Sequence, residues 1–232
     1  MKKIWLIALI VFGLITFVSC SDDEDDNKTK IPDTETTTGA TPATETDTAT
    51  TPEDTAATKG KILIVYFSCA GENYGVGVIE KGNTLVMAEY IEQFTQGDMF
   101  EIVPQTPYPD SYQEKLNLAT QEKNNNSRPA IKNTLTNLDD YSVVFIGCPV
   151  WWSDTPMIMR TFYETYPQLA TKTLVPFGTH GASSITPIPR VIKEYFPDAV
   201  ILESLGLQGS QVRDEASKDK VKSWLGKIGI LD

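Results

Sequence analysis

YFSCAGENYGVGVIEKGNT, residues 66–84, joins a predicted strand to a predicted helix. KILIV, residues 61–65, precedes it and is apolar on consecutive positions, as in a strand that is buried on both faces. TLVMAEYIEQFTQ, residues 84–96, has apolar side chains at helical spacing. A strand, a glycine-rich turn and a helix predict an anion at the helix N-terminus. The connection has about fifteen residues, whereas two to six are usual.

The alternation of strands and helices continues to the C-terminus. Further strands are predicted at residues 98–103, 141–152, 172–181 and 199–207, and further helices at residues 110–126, 155–166, 189–196 and 213–228. This pattern predicts an α/β fold of three layers, a doubly wound, five-stranded parallel sheet in the order 2-1-3-4-5 with helices on both faces. Ligands of such sheets bind beyond the carboxyl ends of the strands, where the glycine-rich and aromatic loops fall here.

The chain divides into three segments by composition. Residues 1–20, MKKIWLIALIVFGLITFVSC, have two lysines, an apolar stretch and small residues before Cys20, as in a secretory signal peptide. Residues 21–59 are acidic, rich in threonine and poor in large apolar side chains, which predicts a disordered tether. Residues 60–232 are the predicted folded domain, long enough for a full core.

Charge and residue counts exclude two classes of function. The net charge is −11, and no stretch is rich in lysine and arginine, so the chain is not expected to bind nucleic acid. It has one histidine and no pair of cysteines at ligand spacing, so no metal site is expected.

Two nucleotide-binding motifs fit the glycine-rich stretch poorly. A dinucleotide fingerprint needs G-x-G-x-x-G, but Gly75 and Gly77 are followed by Gly82, two positions late. GVIEKGNT, residues 77–84, matches a nucleoside triphosphate loop except that Asn83 stands in place of the lysine that reaches the terminal phosphates.

A single terminal phosphate fits better, because backbone N–H groups and hydroxyls at Ser68, Asn83 and Thr84 can hold it without a lysine. In this respect the stretch resembles the opening of flavodoxins, YFS-x-x-G-N-T, with Glu72–Gly82 inserted before Asn83. The resemblance continues through GDMFEIVPQTPYPDSYQE, DDYSVVFIGCPVWWSDTP and LVPFGTHGASS. It implies FMN and a role as an electron carrier or as a reductase of a small acceptor such as a quinone. Because HGASS departs from the threonine motif that carries covalent flavin, the FMN is expected to be non-covalent. Both ends of the insertion are expected to converge on the phosphate, so that the insertion acts as a flap.

The resemblance also assigns the residues of the flavin site. The expected phosphate residues are Ser68, Cys69, Ala70, Gly71, Asn83 and Thr84, and the expected ring contacts are Pro149, Val150, Trp151, Trp152, Thr179, His180, Gly181, Ala182 and Ser183. One of the two adjacent indoles is expected to flank the flavin and the other to pack under a helix, with Trp151 favoured at the flavin. His180 is either a catalytic residue that moves protons or a turn residue bonded to backbone.

Several other side chains keep two interpretations. Cys69 and Cys148 form either a disulfide or two independent thiols, because strand register decides whether their β-carbons face each other. Asp154 is expected to cap a helix rather than to act in catalysis. Tyr108 and Tyr112 are expected to pack the second helix rather than to line an entrance.

The N-terminus predicts a location. FVSC resembles the lipobox of bacterial lipoproteins, which implies lipid on Cys20 and attachment to the membrane of the cell envelope, with the outer membrane expected. The alternative is an uncleaved membrane anchor. SDDEDD, residues 21–26, resembles a surface-export signal or is a solvated spacer.

A second class of function also fits the sequence. The chain could be a binding or surface-interaction protein that keeps the fold and has lost the flavin, because fold does not dictate function. Its redox donor and acceptor are not identified by any motif. Flavin colour in the purified protein separates the two hypotheses.

Overall fold

The computed structural model describes residues 60–231 of the 232-residue chain. The predicted signal peptide and tether, residues 1–59, lie outside the described residues. Within residues 60–231, no helix is both long enough and apolar enough to cross a membrane.

Strands and helices alternate as the sequence predicts. The strands are β1 Lys61–Tyr66, β2 Gly71–Asn73, β3 Gly77–Ile79, β4 Asp98–Glu101, β5 Tyr141–Pro149, β6 Thr173–His180, β7 Val200–Ile201 and β8 Leu205–Gln208. The helices are α1 Asn83–Thr95, α2 Tyr112–Asn124, α3 Met157–Thr165, α4 Pro187–Tyr195 and α5 Glu215–Lys227. Short 3₁₀ helices cover Leu138–Asp140 and Pro167–Thr171.

The main sheet is parallel and has the order β4-β1-β5-β6-β7, with β8 also paired to β6. This confirms the predicted order 2-1-3-4-5. The predicted fifth strand is split into β7 and β8. Leu174 of β6 pairs with Ile201 of β7, whereas Phe177 of β6 pairs with Leu205 of β8. Three steps along β6 therefore match four along its neighbour, and one extra residue interrupts the ladder as in a bulge.

Apolar side chains fill both faces of the sheet and give the expected three layers. One core cluster joins β1, β5 and β6 to α3 and α4 through residues such as Val144, Phe162 and Val191. The other joins the opposite face to α1 and α5 through residues such as Phe145, Ile91 and Trp224. The strands are buried from both sides, which explains why they are apolar on consecutive positions.

The insertion in the glycine-rich stretch folds as an antiparallel hairpin of β2 and β3. Its glycines Gly71, Gly75 and Gly77 all have positive φ, a conformation that costs glycine little. The hairpin returns to its starting point, because a Cβ on Gly82 would overlap Ser68 Oγ and lie 2.7 Å from the carbonyl oxygen of Cys69. The two halves of the predicted phosphate loop therefore meet, as expected.

Candidate functional site

A cavity of about 450 Å³ lies at the carboxyl ends of β1, β5 and β6. Its volume is in the usual range for small-molecule sites. Every residue predicted to bind the cofactor lines this cavity except Ala70 and Gly71. The loops after three different strands thus converge as the doubly wound topology requires.

Ala70 and Gly71 are the two predicted phosphate residues that do not line this cavity. Gly71 has a φ of +77°, and a Cβ there would lie 2.9 Å from the Cα of Asp110. The carbonyl of Ala70 accepts a hydrogen bond from Lys115 Nζ at 2.9 Å. The inserted hairpin begins at Gly71, and the two residues lie against Asp110 and Lys115, at and just before the first turn of α2.

The N-terminus of α1 forms the polar end of the cavity. Its N-cap is Gly82, which offers no side-chain hydrogen bond. Ser68 Oγ accepts a hydrogen bond from Leu85 N at 3.0 Å. The first N–H groups of a helix, here those of Asn83 and Thr84, have no intrahelical partner. They are available to an anion, which the helix dipole also favours.

Two side-chain pairs complete this polar end. The hydroxyls of Thr84 and Thr179 lie 2.9 Å apart, and both residues are buried. One hydroxyl hydrogen is used between them, so the pair keeps a second to donate. Arg213 donates to Asn83 Oδ1 at 2.6 Å, which leaves the Asn83 amide hydrogens free and places a guanidinium beside the helix start.

The hairpin and α2 supply a wall that the sequence did not predict. Its members lie far apart in sequence and share no motif. They are Glu72, Asn73, Tyr74, Tyr112, Lys115, Leu116 and Ala119, and Gly209 joins them from the loop after β8. The base of the hairpin is bonded to the start of α2, since Glu72 Oε2 accepts from Tyr112 N at 2.8 Å and Glu72 N donates to Asp110 O at 2.8 Å.

The tip of the hairpin reaches across the cavity. A Cβ on Gly181 would lie 2.7 Å from the ring of Tyr74, and the Tyr74 and Tyr112 rings have centroids 6.1 Å apart. Tyr74 nevertheless remains 63% exposed. The hairpin therefore lies in the position of a cover, between the phosphate loop and the loop after β6. Tyr112 lines the cavity, contrary to the expectation that it only packs a helix.

The two adjacent tryptophans both line the cavity but have different surroundings. Trp151 stacks edge-on against Phe67 and Tyr108, with centroids 5.7 and 5.2 Å away, and packs against the core. Trp152 also lines the cavity and is 49% exposed. Its indole has fewer packing partners in the protein, so Trp152 offers more free surface to a planar ligand than Trp151 does.

Trp152 and Ser153 form a strained turn. Their φ angles are +52° and +54°, and Trp151 and Asp154 exchange two backbone hydrogen bonds of 2.9 Å around them. Side-chain contacts hold the turn in place. Lys123 Nζ donates to Trp152 O at 2.6 Å, and Asp154 accepts from Thr155 N at 2.8 Å and from two arginines, Arg160 and Arg190. The N-cap of α3 is Pro156, so Asp154 does not cap the helix as expected and instead holds this turn.

His180 ends β6 at the cavity wall. Its Nδ1 is buried and has no hydrogen-bond partner among the described residues. Burial lowers the pKa of His180, so the ring is neutral at pH 7. A neutral imidazole has one donor and one acceptor nitrogen, which suits it to a polar ligand edge. The turn-residue alternative, with this nitrogen bonded to backbone, is not what the structure shows.

The two cysteines of the domain are free thiols, so the disulfide alternative does not hold. Cys148 is fully buried at the end of β5, and burial raises the pKa of its thiol. Burial also raises the pKa of Cys69, to about 12. Neither is a thiolate at neutral pH. Residues 60–231 contain no cluster of His, Cys, Asp and Glu that could hold a metal ion.

Comparison with known proteins identifies the family. The flavodoxin family model matches residues 61–228. The chain belongs to the flavodoxin family. A solved structure of a candidate flavoprotein from Bacteroides eggerthii DSM 20697 is 34% identical, with a TM-score of 0.58, and the match covers 73% of this chain and 98% of that one. A second, from Bacteroides uniformis ATCC 8492, is 29% identical over 72% and 98% of the two chains, with a TM-score of 0.58.

A more distant structure shares the fold of this flavodoxin-family chain. It is a flavoprotein in complex with FMN from Lactobacillus acidophilus NCFM, 18% identical over 70% of this chain and 99% of that one, with a TM-score of 0.51. A search of curated proteins gave no match.

Proposed function

We propose that this flavodoxin-family protein binds FMN non-covalently and carries electrons or reduces a small acceptor outside the cytoplasm. The observation that carries the proposal is the open N-terminus of α1, which meets Ser68 and the Thr84–Thr179 hydroxyl pair at one end of an aromatic cavity. The polar end suits a phosphate and the aromatic end suits a planar ring. Flavin mononucleotide contains both groups. The FMN complex of the Lactobacillus flavoprotein supports the choice of flavin by family.

The residues of the site divide the binding between them. The N–H groups of Asn83 and Thr84 and the hydroxyl pair donate to the phosphate, without a covalent bond. Trp152 and Tyr74 supply faces on which an aromatic ring stacks, which contributes about 0.5–1.5 kcal/mol beyond burial. His180 can donate to or accept from the ring edge. The bound flavin supplies the redox chemistry, and the protein controls its access and potential.

The place of action follows from the N-terminus. We propose that lipid on Cys20 attaches the protein to a membrane of the cell envelope and that the acidic tether separates the domain from it. Replacing Cys20 with Ser is expected to move the protein from the detergent phase to the aqueous phase in a phase-partition assay. Cys69→Ser, which leaves Cys20 intact, is the control. If the Cys20→Ser protein stays in the detergent phase, an uncleaved anchor is the better explanation.

The colour of the full-length protein in detergent tests the proposed function. It is expected to be yellow, or to become so with added FMN, with flavin absorbance and quenched flavin fluorescence. Riboflavin, which lacks the phosphate, is the matched ligand and is expected to bind more weakly. A colourless protein that leaves FMN fluorescence unchanged would reject the proposal in favour of the flavin-free alternative.

Thr84→Ala is expected to weaken FMN binding roughly tenfold, because it removes a hydroxyl from the phosphate end and leaves Thr179 without its partner. Thr84→Ser keeps the hydroxyl and is expected to bind within about twofold of wild type. Both dissociation constants come from fluorescence titration. Equal, unchanged binding in the two variants would mean that the start of α1 does not hold the phosphate.

A further inference from the structure

Lys115 is a buried cation in the wall of the cavity. It lies in α2 and is only 6% exposed, whereas lysine is almost never fully buried without a paired charge. No sequence motif marks Lys115. Its burial results from the inserted hairpin, whose first residues lie over it.

The partners of Lys115 do not neutralise its charge. Its Nζ donates to two backbone carbonyls, those of Ala70 at 2.9 Å and Glu72 at 3.2 Å. An ammonium has three hydrogens to donate, so one remains. Within residues 60–231, no carboxylate lies at salt-bridge distance from this nitrogen. Of the carboxylates on the neighbouring elements, that of Glu72 is bonded to Tyr112 N and that of Glu122 to the Tyr108 hydroxyl.

Lys115 and the start of α1 reach the cavity from opposite faces of the sheet. α1 packs on one face of the sheet. α2 belongs to the other face, since it contacts α3 and its Glu122 bonds to Tyr108, which packs against the core beneath α3 and α4. The side chain has no hydrogen bond to Ser68, Asn83 or Thr84. Lys115 therefore brings its charge into the cavity wall from the face of the sheet opposite α1, and its Nζ lies against the backbone of Ala70 and Glu72.

We propose that Lys115 is the positive charge that raises the reduction potential of the flavin bound in this cavity, an inference that rests on the proposed function. Two electrons from a reductant and one proton from water leave a reduced flavin with one more negative charge than the oxidised form. A cation in a desolvated wall stabilises the reduced form more than the oxidised one. Lys115 thereby offsets the acidic character of the domain, which acts in the opposite direction.

The charge of Lys115 already acts on its surroundings. Burial raises the pKa of the neighbouring Cys69 thiol, and Lys115 opposes that increase.

A purely structural role for Lys115 predicts a different effect on the flavin. If Lys115 only ties the hairpin to α2, its loss would weaken oxidised and reduced FMN equally and leave the potential unchanged.

The test measures the affinity of full-length Lys115→Met for oxidised FMN, by fluorescence titration, and the midpoint potential of its bound flavin, by dithionite titration against a reference dye. A thermodynamic cycle then gives the affinity for reduced FMN. Lys115→Met is expected to lose about tenfold more affinity for the reduced than for the oxidised form, which for two electrons lowers the potential by about 30 mV. Lys115→Gln, which keeps two amide hydrogens for the carbonyls, is the second neutral variant if Met impairs folding.

Two controls isolate the charge at this position. Lys115→Arg keeps it and is expected to hold the wild-type potential. Lys220→Met makes the same change in net charge at an exposed position of α5, outside the cavity, and is also expected to leave the potential unchanged. A wild-type protein that binds FMN, with an unchanged potential in both neutral variants, overturns this inference and leaves the proposed function intact. A wild-type protein that binds no FMN overturns both.

Discussion

Gly82→Ala is expected to weaken FMN binding about a hundredfold, close to 2.7 kcal/mol. The added Cβ would overlap Ser68 Oγ and lie 2.7 Å from the Cys69 carbonyl oxygen, atoms that form the opposite half of the phosphate cradle. Backbone is one of the two obstacles, so a side-chain rotation alone cannot make room. The start of α1 must move, and its N–H groups lose their alignment with the phosphate. A hydrogen bond to a charged group contributes about 1.5–3 kcal/mol, so the loss of one or two accounts for the effect.

Gly226→Ala is the matched control for Gly82→Ala. Gly226 lies within α5, and a Cβ there meets nothing within 4 Å. It is expected to leave FMN binding unchanged and to stabilise the protein by up to about 1 kcal/mol through helix propensity. Fluorescence titration gives the affinities, and thermal unfolding shows whether each variant folds. A folded Gly82→Ala protein with wild-type affinity would place the phosphate elsewhere.

Strand order and site position were predictable because both follow from local pattern and topology. Five apolar runs alternating with helical segments permit few arrangements, and in a doubly wound sheet the loops after β1, β5 and β6 meet at one edge. All the predicted loop residues after these strands except Ala70 and Gly71 therefore line the cavity. The split of the fifth strand was not predictable, because one extra residue against β6 leaves the apolar pattern unchanged.

The wall made by the hairpin and α2 could not be read from the sequence. The contact of Lys115 with Ala70 and Glu72 spans more than 40 residues, and it exists only because the insertion folds back over α2. The glycines within Glu72–Gly82 indicated sharp turns. However, β2 and β3 have only three residues each, too few for an alternating pattern that would identify them as strands. The contact of the hairpin with Gly181 depends on packing between loops that lie far apart in the sequence.

The different surroundings of Trp151 and Trp152 could not be predicted from the sequence for another reason. Adjacent side chains after a strand end point in different directions, but which one turns inward depends on the backbone of the turn. Here Trp152 and Ser153 both have positive φ, although neither residue favours it. Asn-Gly is the usual sequence for a two-residue turn of this kind. A sequence that violates a local preference at a cavity is a sign of function, because strain tends to persist at sites that use it.

The stored strain predicts opposite effects on stability and on binding. The double variant Trp152→Asn and Ser153→Gly gives the turn its preferred residues, and each left-handed residue relieved contributes about 1 kcal/mol. The variant is expected to be about 1–2 kcal/mol more stable, with Tm higher by about 4 °C. It also removes the exposed indole, so FMN binding is expected to weaken roughly 30-fold through lost burial and stacking.

Ser153→Gly separates the two effects, because it relieves one strained residue and keeps the Trp152 indole. It is expected to raise the unfolding free energy by about 1 kcal/mol with FMN affinity within about twofold of wild type. Unfolding is measured in both variants without FMN, so that loss of ligand stabilisation does not mask the gain. A double variant that is more stable and binds FMN as well as Ser153→Gly would show that Trp152 does not contact the flavin. If neither variant is more stable, Trp152 and Ser153 are not strained in this turn. The contacts of Lys123 and Asp154 then do not hold the two residues in an unfavourable conformation.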